Sequence, residues 1–207
     1  MTHLIELAYP ILGLSIPENN GYYFYAGISR ALDGHVPPDV AITSVGGRPV
    51  GDRRLAVARG SMIRLRCPAE RIGDLLPLAG RSLDVGGHQV QLGVPRVRAV
   101  SPAPALASRL VSIKPHVQPG PFLGAVSRQM AALGLTTGEA EIPMLRYGPH
   151  AGEFCRRVVR IKGVTIVGFA LIIRGLSDAD SLRLMAKGLG GRRHMGCGIF
   201  SPFGPRE

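Results

Sequence analysis

Tryptophan is absent from this 207-residue chain, and Phe, Tyr and Trp together make up only 5% of it. A surface built from a cluster of stacked aromatics is therefore not expected to dominate binding. Cysteine is scarce as well. Cys67, Cys155 and Cys197 stand far apart, with no CxxC and no Cys/His ligand spacing. That pattern argues against a disulfide framework and a structural zinc, and so points to a cytoplasmic protein without a metal cofactor. No GxxxxGK[ST] occurs, which removes the P-loop reading. The longest apolar run, Val164 to Ile173, is too short to span a bilayer. The first twenty residues contain Glu6, Pro10 and Pro17 and lack a basic leader, so they do not read as a signal peptide.

Acidic residues are also in short supply: 14 Asp plus Glu stand against 25 Lys plus Arg, a formal charge of +11. An acidic partner follows from that balance, and nucleic acid is the leading class. Lys114, Lys162 and Lys187 are the only lysines. Arginine's planar fork suits phosphate and base edges better than an ammonium does. A GC-biased genome would explain arginine in place of lysine, but not the excess of positive over negative charge.

The chain is long enough for one large or two small domains. Leu4 to Ile16 reads as an apolar β segment, and Tyr22 to Leu32 as a helix with Tyr25, Ile28 and Leu32 on one side, Asn19 or Asn20 as its cap and Gly34 at its end. Val40 to Val45 and Ser61 to Arg66 alternate as strands, Ala69 to Leu78 is a short helix, and Gln89 to Val100 returns as strand. After a proline-broken linker over 101–107 the order recurs. Leu110 to Lys114 is strand, Pro121 to Leu133 helix, Arg156 to Lys162 and Val164 to Arg174 a hairpin, 177–187 a helix and Gly196 to Phe200 a strand. This predicts an α+β protein of two tandem ferredoxin-like (βαββαβ, RRM-like) domains, 1–100 and 108–207. Residues 134–154 receive no element.

The most informative stretch is Ser177 to Phe200, SDADSLRLMAKGLGGRRHMGCGIF. Ser177 can cap a helix with Asp178 and Asp180 in its first turn, Leu182, Met185 and Ala186 as its apolar stripe, Lys187 in its last turn and Gly188 as its stop. A dinucleotide site needs strand, glycines, then helix, the reverse of this order. What remains is a flexible backbone at Gly188, Gly190, Gly191 and Gly196 around Arg192, Arg193 and His194, which would let a polyanion approach the main chain.

Tandem domains that end in GLGGRRHMGCGIF resemble the RAMP superfamily of CRISPR-associated proteins, and Arg156 to Phe200 is similar to the CRISPR repeat-processing endoribonuclease, in particular the MYXAN subtype. The resemblance reaches the first half mainly through the helix that begins with YYFY and ends before His35. It implies an endoribonuclease that cuts precursor CRISPR RNA within its repeats to release guide RNAs, as a partner of other subunits of a Cascade-type complex. The alternative within the same fold is a non-catalytic subunit that holds guide RNA. A third reading is a double ferredoxin-like module whose charge is incidental.

RNA carries its own nucleophile, the 2′-hydroxyl. The protein must align it with the neighbouring phosphate, move two protons and stabilise the added charge, and none of these steps requires a metal. In the family a histidine after the first helix is the usual catalytic residue, which implies that role for His35, at a helix exit where it can point between the domains; His194 is the second choice. Tyr25 is a candidate helper, whereas Tyr22 reads as core. Relatives often add a lysine; none precedes Lys114 here, so Arg30 or another arginine would take that place. Arg156, Arg157, Arg160, Lys162, Lys187, Arg192, Arg193 and His194, with Gly188, Gly190 and Gly191, make the expected RNA-binding track.

Overall fold

A computed structural model describes residues 3–161 and 164–204. It divides into two compact units: residues 1–100 together with His194–Gly196, and 101–193 together with 197–207.

In the first unit the order is β1 (Leu4–Leu12), β2 (Ser15–Pro17), α1 (Gly21–Ala31), β3 (Ala41–Ile42), β4 (Arg54–Ala56), β5 (Met62–Pro68), α2 (Ile72–Leu75) between single 3-10 turns at Ala69–Arg71 and Leu76–Leu78, β6 (Ser82–Asp84), β7 (Gln89–Leu92) and β8 (Arg96–Ala99). All strand pairs are antiparallel. β1 lies between β5 and β8, and β3 flanks β5, which is the order of a ferredoxin-like sheet. The predicted strand over Gln89 to Val100 is two strands, because Gly93 and Pro95 interrupt the ladder: β7 pairs with the end of β1 and β8 with its beginning. The predicted helix over Ala69 to Leu78 reduces to α2 and its 3-10 turns, since Pro77 cannot continue it.

Alternation along β1 sends Ile5, Leu7, Tyr9 and Ile11 into the core. The Tyr9 hydroxyl donates to the Leu75 carbonyl at 2.6 Å, and burial pushes its pKa up. α1 buries Phe24, Gly27 and Ile28 in this core, and the predicted side packs against it too, with Ile28 buried and Tyr25 and Leu32 half-buried. Asn20 precedes α1 but does not cap it. Its buried amide donates to the carbonyls of Val45 (2.8 Å) and Pro17 (3.1 Å) and accepts the Val45 N–H (2.8 Å), so it ties the helix start to the chain after β3.

In the second unit the order is β9 (Ala105–Val111), α3 (Pro119–Ala132), β10 (Glu139–Glu141), β11 (Arg156–Ile161), β12 (Val164–Arg174), α4 (Asp178–Lys187) and β13 (Ser201–Pro202). β9 lies between β12 and β13, and β11 flanks β12, so the first unit's antiparallel order recurs. β9 begins inside the stretch read as linker. The last strand lies beyond the predicted Gly196 to Phe200, which is loop because Gly196 and Gly198 both adopt positive φ. Residues 134–154 do hold structure: β10 extends the sheet, and a ribbon follows in which Met144 pairs with Phe154.

Ser177 caps α4 as expected, accepting the Asp180 N–H at 3.2 Å. The buried stripe of that helix is Ser181, Leu184 and Met185 with Asp180, while Leu182 and Ala186 are only half-buried. One carboxylate oxygen of Asp180 accepts the N–H and hydroxyl of both Thr136 and Thr137, at 2.7–3.1 Å. The Thr137 hydroxyl and the other donors hold its pKa down at about 2 against burial. The folded state therefore favours the carboxylate, a stabilisation complete above the ordinary value of 3.8 and lost as pH falls through about 2. Thermal melts of Asp180→Asn and the wild type are expected to differ at pH 6 and to converge between pH 4 and 2; a gap independent of pH would contradict this.

Candidate nucleic-acid interface

α1 ends in a left-handed turn. Asp33 (φ 52°) and Gly34 (φ 86°) reverse the chain, the Gly34 N–H donates to Ser29 O at 2.7 Å, and the His35 N–H donates to Leu32 O at 3.0 Å. His35 thus has a fixed backbone and an exposed side chain. Tyr25 sits elsewhere on the same helix, its ring 5.4 Å from that of His194 with a 37° tilt. About 10 Å of helical rise separates Tyr25 from the α1 exit. The structure thus brings together Tyr25 and His194, not Tyr25 and His35. The three residues His194–Gly196 belong to the first unit through contacts of this kind: Gly21 leaves no room for a Cβ against the Met195 carbonyl. Arg30 is engaged at Asp84, donating to its carbonyl oxygen at 3.0 Å.

The glycine-rich loop is knit to its own unit. The Gly188 N–H donates to Leu184 O (2.8 Å), Leu189 to Gly198 O (3.2 Å), Gly190 to Gln129 Oε1 (2.7 Å), Gly191 to Ser112 O (3.1 Å) and Gly198 to Leu110 O (2.7 Å). A Cβ on Gly190 would stand 2.7 Å from Ser112 O, and one on Gly188 or Gly198 would strike the carbonyl of Gly198 or Leu189. Internal close approach of backbone to backbone explains these glycines. The expectation of a flexible main chain open to a polyanion is corrected accordingly, because these N–H groups are already used. Arg193 serves the same end, its guanidinium donating to Ala186 O at 2.6 Å in the last turn of α4. Arg192 is half-buried with φ 66°, and Lys187 is exposed.

Arg156, Arg157 and Arg160 are exposed along β11, with Arg156 and Arg160 on one face and Arg157 on the other. Lys162 lies outside the described residues. A second basic group was not anticipated from the sequence. Across the first unit's sheet, Arg66 and Arg98 face Glu6 in register, and Arg64 and Arg96 face Ala8. Glu6 is 3% exposed and contacts Arg98 at 2.7 Å, Arg66 at 3.3 Å and Arg64 at 3.4 Å. One carboxylate thus holds three guanidinium groups, Arg66 buried with it and Arg64 and Arg98 partly exposed. The RLR and RVR triplets at 64–66 and 96–98 were the available signal: arginine at every second position of a strand puts both on one side.

Burial pushes the thiol of Cys67 up to about 12 and that of Cys197 up to about 11, which keeps both protonated and unreactive at neutral pH. Among the described residues no group of three or more His, Cys, Asp or Glu could hold a metal ion, and no helix is long and apolar enough to cross a membrane.

The architecture is two ferredoxin-like sheets in tandem, with a glycine-rich loop between the last helix and the last strand. A solved RAMP protein described as binding different RNA substrates superposes with a TM-score of 0.64 at 13% identity, over 98% of this chain and 100% of that one. The product of a Cas6-related gene from Pyrococcus furiosus does so with a TM-score of 0.63 at 13% identity, over 100% of both chains. The Cas6 CRISPR family model matches residues 5–204, and the CRISPR-associated endonuclease Cas6 of Myxococcus xanthus (strain DK1622) is 39% identical over 97% of this chain and 82% of its own length. The chain belongs to the Cas6 family.

Proposed function

We propose that this protein is an endoribonuclease that cuts precursor CRISPR RNA within its repeats without a metal ion, releasing guide RNAs in the cytoplasm for a Cascade-type complex. The observation that carries this reading is the family match across residues 5–204, supported by 39% identity to a Cas6 endonuclease. The exposed arginines of β11 and the arginine face around Glu6 fit a polyanionic substrate.

His35 is the residue assigned to proton transfer, between the 2′-hydroxyl and the leaving 5′-oxygen. Attack of that hydroxyl on the adjacent phosphorus forms one P–O bond and breaks the next, giving a 2′,3′-cyclic phosphate and a free 5′-hydroxyl. His35 suits the task because its backbone is pinned while its imidazole is exposed. Tyr25 and His194 form a second, packed pair, and we assign them to holding the loop and the RNA rather than to chemistry.

Incubation with the protein's own repeat RNA in excess EDTA tests the reading. A single cut is expected, ending in a cyclic or 3′-phosphate, and abolished by a 2′-deoxy nucleotide before the scissile bond. Loss of cutting in EDTA would overturn the metal-free route. Binding without any cut would point to a guide-holding subunit.

A further inference from the structure

The ribbon inserted between β10 and β11 has no role in the reading above, yet it carries exposed apolar side chains. Met144 is 58% exposed, Tyr147 87% and Phe154 41%. Its backbone is nonetheless fixed. Leu145 N–H donates to Glu153 O (2.9 Å), Gly152 to Leu145 O (2.8 Å) and Cys155 to Pro143 O (2.8 Å), so Phe154 is held from both sides and shares a face with Met144. Beside it lies a depression of about 300 Å³ lined by Val117, Pro119, Glu153, Phe154, Arg156 and Phe169, among others. Phe169 is buried and braced by Phe122, ring centroids 4.9 Å apart.

We propose that this depression takes one unpaired nucleotide of the RNA, its base stacked on Phe154, its amino edge donating to Glu153 and its phosphate on Arg156. The inference rests on the RNA-processing reading and adds a base-selective subsite to it. The volume is at the lower end for small-ligand pockets and suits a mononucleotide. The charges choose among occupants. A phosphate alone would be repelled by the Glu153 carboxylate, and an apolar peptide would offer nothing to Glu153 or Arg156. A nucleotide supplies a π face, a donor edge and an anion together. Glu153 is 3.2 Å from His150 through one oxygen, Oε1, a pair that orients the carboxylate. Carboxylates accept from the cytosine N4 amino group, whereas uracil presents O4, an acceptor, at the same position. Arg160, on the Arg156 face of β11, lies about 13 Å along the strand, where the chain can continue.

The test uses the full protein with 5′-fluorescein octacytidylate and octauridylate, read by anisotropy at fixed salt. Octacytidylate is expected to bind about fivefold or more tightly than octauridylate. Phe154→Ala should weaken octacytidylate binding by about fivefold or more, and Phe154→Tyr should preserve it. Glu153→Gln should erase the preference for cytosine, because an amide can also donate to O4. If the wild type binds its own repeat RNA but neither oligonucleotide, the subsite is overturned and the RNA-processing reading stands; if it binds none of the three, that reading falls as well. If it binds both oligonucleotides and Phe154→Ala changes nothing, the subsite alone is overturned and the ribbon is left as a protein-docking face. Should Phe154→Ala melt early, Glu153→Gln decides: a retained preference for cytosine overturns the proposal.

Discussion

Alanine at His35 is expected to slow single-turnover cleavage of repeat RNA by about 10²- to 10⁴-fold, the usual contribution of a positioned acid or base. RNA affinity should stay within about twofold, because proton transfer is an interaction of the transition state and not of the bound ground state. The side chain lies outside the core, and the turn holding it is made by backbone bonds from Gly34 and His35 to Ser29 and Leu32. The substitution should therefore leave the melting temperature unchanged, which separates lost chemistry from lost structure. His194→Ala makes the control. Its ring packs on Tyr25, so its removal should lower the melting temperature and affect affinity more than rate. Full cleavage by the His35 variant together with none by the His194 variant would exchange the two roles.

The parts of the fold that were legible are those where local chemistry and tertiary demand agree. Ser177, the two aspartates and Gly188 define α4 because cap, dipole and stop act within one turn. The β11–β12 hairpin follows from alternation and β-branched residues. The misses have a different origin. Asn20 looks like a cap, but its amide is captured by Val45, 25 residues away, a bond no local window contains. The buried side of α1 is wider than Tyr25, Ile28 and Leu32 alone: Phe24 adds to it, and the small Gly27 lets the helix approach Leu83 and Asp84 of β6, a strand not foreseen. Glu6 reads as a blemish in an apolar strand until the register sets it among three guanidinium groups from two other strands.

The site was legible in part for the same reason. The helix exit at His35 is a local feature, whereas the pairing of Tyr25 with His194 joins residues 169 positions apart. A buried charge such as Glu6 persists only where its partners are supplied; Arg66 is buried with it, while Arg64 and Arg98 stay partly exposed. The basic surface is therefore not confined to the second half of the chain, where charge runs such as RRVVR drew attention.

The largest effect on stability is expected in the glycine-rich loop, at Gly198→Ala. Gly198 has φ 65°, and a Cβ there would collide with the Leu189 carbonyl, the same strand of backbone whose N–H donates to Gly198 O. The left-handed conformation alone costs about 1–2 kcal/mol for a residue with a Cβ, and relieving the collision must break the hydrogen bond from the Leu189 N–H to Gly198 O, so a loss of about 3 kcal/mol or more follows. For a chain of this size that is a fall of about 6–12 °C in Tm. Gly191 is the informative partner: an added Cβ meets no atom within 4 Å, and its φ is not positive. Gly191→Ala should melt like the wild type and bind repeat RNA as tightly. If instead Gly191→Ala cuts RNA affinity and Gly198→Ala leaves Tm unchanged, the glycines serve the ligand's approach and not the packing of the loop on itself.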